Sequence, residues 1–133
     1  MAGTIVANTL NTDTVGGVFT TNNAISGIAQ AWVNFNGVSS TSIRASFNVS
    51  SVTYNASSDY TVNFTTALTD ANYCVVTSSS GNYSTTAPAY ITVNRNGSTG
   101  AEVAPTSSAC RINAVYGSGT AFDTKYAYAA FFR

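Results

Sequence analysis

The chain has 133 residues, the size of one domain, and five basic and five acidic side chains give it a formal net charge of zero. Such a neutral chain has no basic stripe that would bind phosphates or an anionic bilayer, so neither nucleic acid nor membrane is an expected partner. It contains no histidine, the commonest general base and the commonest zinc ligand. Most templates for an enzyme active site therefore do not fit.

The first 30 residues are rich in Thr, Asn and Gly, and with Phe19 alone they are much poorer in aromatic residues than the rest of the chain. They predict an extended N-terminal arm, residues 1–30, followed by one domain over residues 31–133. A further strand around residues 14–20 would raise the strand count of the chain by one. The start has neither a basic region nor an apolar core, so no secretion signal is expected.

Alternation of apolar and polar residues begins at Ala31, where residues 31, 33 and 35 share one strand face and residues 32, 34 and 36 share the other. The pair Asn36-Gly37 then predicts a turn. Between Ile43 and Tyr54 the apolar positions change from odd to even numbers. This change predicts either a bulge near Ser50 or a strand that passes from one sheet to another.

Residues 60–65 alternate again and predict a half-buried antiparallel strand. Residues 73–77 are apolar on both faces, as expected for a central strand that is covered on two sides. Further strands are predicted over residues 89–95, 110–116 and 125–132. The sequence therefore indicates an all-β chain, an antiparallel β-sandwich or jelly-roll-like domain of seven or eight strands.

The residues that could carry chemistry do not form a recognisable site. Cys74 and Cys110 each lie in a predicted strand, so a disulfide is conceivable, but buried free thiols are the favoured interpretation. Asp59 and Asp70 are interpreted as turn residues, and Asp123 as a turn partner near Lys125. No catalytic residue, metal ligand or cofactor site is predicted.

Aromatic residues give the strongest indication of an interaction surface. Trp32 and Tyr83 are candidates for stacking on a sugar ring, but Trp32 lies in a strand, so packing in the core or at a subunit interface is the favoured interpretation. Near the C-terminus, aromatic residues occupy both faces of the last strand, so one face would pack in the core and the other against a partner, as in a compact homotrimer. The predicted oligomer interface contains Trp32, Tyr126, Tyr128, Phe131 and Phe132.

Two polar loops suggest a second kind of surface. Asn82 and Tyr83 lie at a predicted loop tip with the composition of receptor-binding loops. Residues 78–86 and 98–108 could together recognise a glycan on a host cell surface. A hydrolase acting on host polysaccharide is a third hypothesis, which the scattered carboxylates do not favour.

Three segments, AWVNFNG at 31–37, IRASFNVSSVT at 43–53 and DYTVNFTTALTDANYCV at 59–75, are similar to a domain of tailed-bacteriophage virion proteins. Members of this group are described as tail-fibre-like. The resemblance covers residues 31–76, and residues 77–133 depart from it. The matched positions are strand and turn residues, so the resemblance carries over no catalytic residue.

The resemblance implies a non-enzymatic protein at the virion surface, a homotrimer assembled in the host cytoplasm. A chain of this length would be either a short tail-fibre tip that binds host glycan or a knob on another virion protein. The favoured expectation is a capsid decoration, or cement, protein on the head. Its N-terminal arm would grip the major capsid protein, and its sandwich would project outward.

Overall fold

The computed structural model describes residues 9–12, 17–20, 27–80, 89–116 and 121–133. Within these ranges the chain forms ten β-strands. Eight of them build two four-stranded antiparallel sheets, and the other two form a separate pair. The predicted all-β sandwich is thereby confirmed.

The separate pair lies in the predicted N-terminal arm. Strand β1 (Thr9–Thr12) pairs with β2 (Gly17–Thr20) in antiparallel register, with Thr9 opposite Thr20 and Thr12 opposite Gly17. Strand β2 falls within the additional strand predicted near residues 14–20. The remaining residues of the predicted arm up to residue 26 lie outside the described part of the chain.

Sheet I has the strand order β4-β3-β10-β7. On β3 and β10, alternate residues face the core, while the intervening residues face outward. This alternation confirms the faces predicted for residues 31–36. The strands are β3 (Ala29–Asn36), β4 (Ser42–Phe47), β7 (Cys74–Ser79) and β10 (Ala127–Phe132).

Sheet II has the strand order β5-β6-β9-β8. On β6, Tyr60, Val62 and Phe64 are buried, which confirms the strand and the face predicted from its alternation. The strands are β5 (Val49–Ala56), β6 (Asp59–Phe64), β8 (Ala89–Val93) and β9 (Ala109–Tyr116).

Aromatic rings from both sheets fill the space between them. Phe35 of sheet I meets Tyr60 of sheet II edge to face, with ring centroids 5.1 Å apart. Phe131 meets Phe64 in the same way at 4.9 Å. Edge-to-face pairs add to the gain from burying apolar area, so these contacts hold the two sheets together.

The parity change predicted between Ile43 and Tyr54 has two sources. Asn48 lies between β4 and β5 with a φ of 53°, and at this residue the chain passes from sheet I to sheet II. The side chain of Asn48 bonds to the backbone of Thr66 and to Gln30 O, which fixes this corner. A register shift between Val49 and Ser51 follows, so a bulge is present as well. Because the segment between Ile43 and Tyr54 belongs to two strands, β4 and β5, rather than one, the sandwich has eight strands.

The prediction that residues 73–77 form a central strand is wrong. Strand β7 is an edge strand of sheet I, and Val76 on its outer face remains 59% exposed. A strand with apolar residues on both faces is either covered on both sides or carries an exposed apolar patch on its outer face. Strand β7 carries such an exposed patch.

Candidate functional site

The outer face of sheet I is rich in exposed aromatic and apolar side chains. A row crosses the four strands, because Phe47 lies opposite Trp32, and Ala130 lies between Trp32 and Val76. Phe47 is 55% exposed, and Trp32 is 40% exposed. We call this surface the aromatic face; its exposed members are Trp32, Phe47, Val76, Tyr126 and Tyr128.

One charged side chain lies at the edge of the aromatic face. Arg44 is the only charged residue in the four strands of sheet I. Its guanidinium carbon lies 4.2 Å from the centre of the Tyr126 ring, a cation–π contact. The rest of the aromatic face is therefore uncharged, which is the usual composition of the centre of a protein interface.

A groove of about 410 Å³ runs along the aromatic face between β3, β10 and β7. Trp32, Val76 and Tyr128 give it largely apolar walls. Asn34 also lines it, and its Oδ1 atom is buried without a hydrogen bond from the described residues. A buried hydrogen-bond acceptor without a donor lowers the stability of a protein. A hydrogen bond to this atom from a donor outside the described residues would remove that penalty.

The structure separates the predicted interface residues into two groups. Trp32, Tyr126 and Tyr128 lie on the aromatic face, and Phe132 occupies the same side of β10, half-buried. Phe131 is 0% exposed and packs against Phe64 and Tyr73. The prediction that Phe131 belongs to the interface is wrong, because side chains alternate along a strand and that of Phe131 lies on the core side.

Phe47 and Val76 were missed as members of the aromatic face. Phe47 alternates with the apolar Ala45 and Val49, and Val76 follows Val75, so both suggest ordinary strand packing. The cross-strand register that brings them beside Trp32 and Ala130 joins segments far apart in the sequence. The sequence offered a signal only for Val76, which is apolar on the face of its strand opposite to Val75.

Asp123 connects the two sheets next to β10. Its Oδ1 atom accepts a hydrogen bond from Ser58 N at 2.8 Å, and its Oδ2 atom accepts one from Tyr54 Oη at 3.2 Å. Tyr60 Oη lies 3.2 Å from Oδ1 and 3.0 Å from Gly37 O. Burial, together with the charge of Asp123, raises the pKa of Tyr60 far above its usual range. The predicted turn residue is therefore a connector between the sheets.

Asp59 is also more than a turn residue. Its carboxylate is buried at the start of β6 and accepts two hydrogen bonds of 2.7 Å from the Nε and Nη2 atoms of Arg111 on β9. Burial raises the pKa of Asp59, but the hydrogen bonds from Arg111, Gly97 N and Asn55 outweigh burial and hold this pKa below its usual value. The carboxylate is therefore ionised, and it ties two strands to a loop.

That loop, residues 94–103, overlaps the predicted glycan-binding loop 98–108, all of which the structure describes. Gly97 N donates to Asp59 Oδ2 at 2.7 Å, which fixes the loop on the outer face of sheet II. A Cβ at position 97 would collide with the side-chain nitrogen of Asn113, so this close approach requires glycine. The predicted receptor-binding residues Asn82 and Tyr83 lie outside the described residues.

The two cysteines are free thiols in different sheets. Cys74 is exposed on β7, whereas Cys110 is buried on β9. Burial raises the pKa of the Cys110 thiol to about 11. Cys110 therefore remains a protonated, weakly reactive group at neutral pH.

Across the described ranges, no three potential metal-ligating side chains come together. No helix within those ranges is long and apolar enough to cross a membrane. Comparisons with protein-family models, with curated proteins and with solved structures give no match.

Proposed function

We propose that this chain is a non-enzymatic structural protein of a tailed-bacteriophage particle, a decoration protein that coats the head as a homotrimer. Its contact with the major capsid protein would be made by the predicted arm, residues 1–30. The similarity of residues 31–76 to tail-fibre-like virion proteins supports the phage origin. The aromatic face is the single observation that supports self-association.

Several features of the aromatic face favour a protein partner over solvent. Aromatic residues cluster there on β3, β4 and β10, β7 adds Val76, and charges are confined to Arg44 at the edge. Contiguous apolar surface of this kind is typical of interaction sites rather than of free surface. Tyr and Trp are also the residues that most often dominate binding energy at interfaces.

A second copy of the chain is the proposed partner. It presents an identical uncharged surface, so two copies can meet without burying an unpaired charge. Its Ser78 or Tyr128 hydroxyl would supply a donor of the kind that Asn34 Oδ1 lacks, since both residues line the same groove. Assembly around a threefold axis would give the homotrimer.

The proposal is tested first by sedimentation equilibrium of the purified chain. We expect a trimer at micromolar concentration. A chain that stays monomeric at all accessible concentrations would contradict the self-association on which the proposal depends.

The position on the particle is tested separately. Intact particles are labelled with an antibody against this chain, and copies per particle are counted by quantitative mass spectrometry. Many copies spread over the head are expected for a decoration protein. A few copies at the tail end would instead support the alternative, a short fibre tip that binds host glycan.

A further inference from the structure

A recess of about 300 Å³ lies on the outer face of sheet II, on the side of the sandwich away from the aromatic face. Tyr90 and Thr92 of β8 lie beside Val115 and Asn113 of β9 in the strand register and form its floor. Residues 95–100 form its rim. Its volume is at the lower end of the range for small-ligand sites, and its lining is mostly polar.

The rim of the recess is held by its own hydrogen bonds. Asn96 Oδ1 accepts hydrogen bonds from Ser98 N at 2.9 Å and from Thr99 N at 3.0 Å. Gly100 N donates to Asn96 O, and Gly97 N donates to the buried Asp59 carboxylate. A rim fixed in this way loses little conformational entropy when a ligand binds.

Two side chains in the recess are available to a ligand. The Tyr90 ring is 48% exposed. Arg95 takes part in neither ion pair of the described chain, which are Arg111–Asp59 and Arg133–Asp70. The backbone of Glu102 pairs with that of Arg95, but their side chains form no ion pair. Arg95 therefore brings to the recess a positive charge that forms no ion pair among the described residues.

The Arg95 guanidinium lies close to a glycine of the rim. Gly100 has a φ of 71°, and a Cβ at that position would lie 3.0 Å from Nη2 of Arg95. The guanidinium therefore packs against the rim at Gly100, where the positive φ favours glycine.

We propose that this recess binds an acidic saccharide. The apolar face of one sugar ring packs on Tyr90, and the carboxylate of a uronic acid accepts paired hydrogen bonds from Arg95. Thr92 and the hydroxyl groups of the rim contact the sugar hydroxyls. The site does not depend on self-association, because it lies on the opposite sheet from the aromatic face.

The test is a ¹⁵N NMR titration of the full chain with an oligogalacturonate, compared with a neutral maltooligosaccharide of equal length. We expect saturable shifts at the amides of residues 95–100 with the acidic sugar and much weaker binding of the neutral one. Tyr90→Ala and Arg95→Gln should each weaken binding about tenfold or more.

Two variants serve as matched controls. Tyr90→Phe keeps the ring and should retain binding, and Arg44→Gln removes the same charge from the other sheet and should bind as wild type. Equal affinity for the neutral sugar, no saturable shifts at millimolar acidic sugar, or unchanged binding in Tyr90→Ala would overturn the proposal. Sedimentation of the same samples reports separately on the trimer.

Discussion

Sheet I carries a cluster of aromatic rings on its outer face, whereas sheet II carries mainly hydroxyl and amide groups on the equivalent face, with Tyr90 as its exposed ring. On sheet II, Asn63 Nδ2 donates to Ser51 Oγ and Thr53 Oγ1, both at 3.0 Å. Asn55 Nδ2 donates to Thr61 Oγ1 at 2.9 Å and to Asp59 Oδ1 at 3.1 Å. The side chains of this face therefore provide much of the hydrogen bonding that they need.

The aromatic face differs because its groups do not satisfy one another. Only the Tyr126 ring is covered, by Arg44, whereas Trp32, Phe47 and Tyr128 make no ring or cation–π contact among the described residues, and Asn34 Oδ1 lacks a donor there. Both faces follow from the same two-residue period, so the difference lies in which residues occupy the outward positions. Substitutions on sheet II should therefore affect folding, and those on the aromatic face should affect association.

The largest effect is expected for Asp59→Asn, which removes one charge of the buried pair. Breaking a fully buried pair by removing one partner costs about 3–5 kcal/mol of stability, and since the Arg111 side chain is 22% exposed, we expect a loss near the lower end of this range. Gly97 N also loses a charged acceptor. Urea unfolding of the variant and the wild type measures the loss.

Asp70→Asn is the matched control, because it removes the same charge from the exposed pair with Arg133. Its free energy of unfolding at neutral pH should remain close to that of the wild type. A loss for Asp59→Asn as small as that of the control would show that the buried pair does not hold β6 to β9.

Gly97→Ala should have the next largest effect. The added methyl group collides with the side chain of Asn113 and lies 3.0 Å from Asp59 Cβ. Overpacking of this kind costs about 1–3 kcal/mol, which thermal or urea unfolding would detect. Gly27→Ala is the control, since its Cβ would meet nothing within 4 Å. Equal stability of the two variants would contradict the close approach of the loop to sheet II.

These glycines show what the sequence could not predict. The pairs Asn36-Gly37 and Asn96-Gly97 predict turns because glycine tolerates positive φ, yet neither Gly37 nor Gly97 has a positive φ. Gly37 instead leaves room for Tyr60, and Gly97 leaves room for Asn113. Such close approaches join segments that are far apart in sequence, so no local pattern reveals them.

The strand faces, in contrast, were predictable from local alternation. Strands β3 and β6 follow it closely, because a strand places successive side chains on opposite sides. The edge position of β7 and the pairing of Asp59 with Arg111 depend on the strand order. That order is set by contacts between segments far apart in sequence, which alternation does not encode.

On the aromatic face, Phe47→Thr should separate association from folding. Its side chain is largely exposed, so the stability of the monomer should change by less than about 0.5 kcal/mol. Self-association should weaken about tenfold or more, because an aromatic contact is lost. Sedimentation equilibrium measures association, and urea unfolding at low concentration measures stability.

Tyr90→Thr is the control for this variant, since it removes a similarly exposed ring from the outer face of sheet II. It should sediment as wild type. If Phe47→Thr and Tyr90→Thr sediment alike, the aromatic face is not the surface through which copies associate.

The smallest effect concerns the exposed pair at the end of sheet I. Hydrogen bonds from Arg133, at 2.6 and 2.8 Å, and from Asn72 N lower the pKa of Asp70 from 3.8 to about 2. A carboxyl whose pKa is lower in the folded state stabilises the fold above its unfolded pKa. This contribution is lost as the pH falls from about 3.8 to about 2.

The pair is exposed, so its contribution to stability should be slight and should weaken further in high salt. A ¹³C NMR titration of the Asp70 carboxyl should therefore be more sensitive than unfolding. Arg133→Gln should return the pKa toward 3.8, whereas Arg44→Gln, the same change on the aromatic face, should leave it unchanged. An Asp70 that titrates near its usual value in the wild type would mean that the pair does not persist in solution.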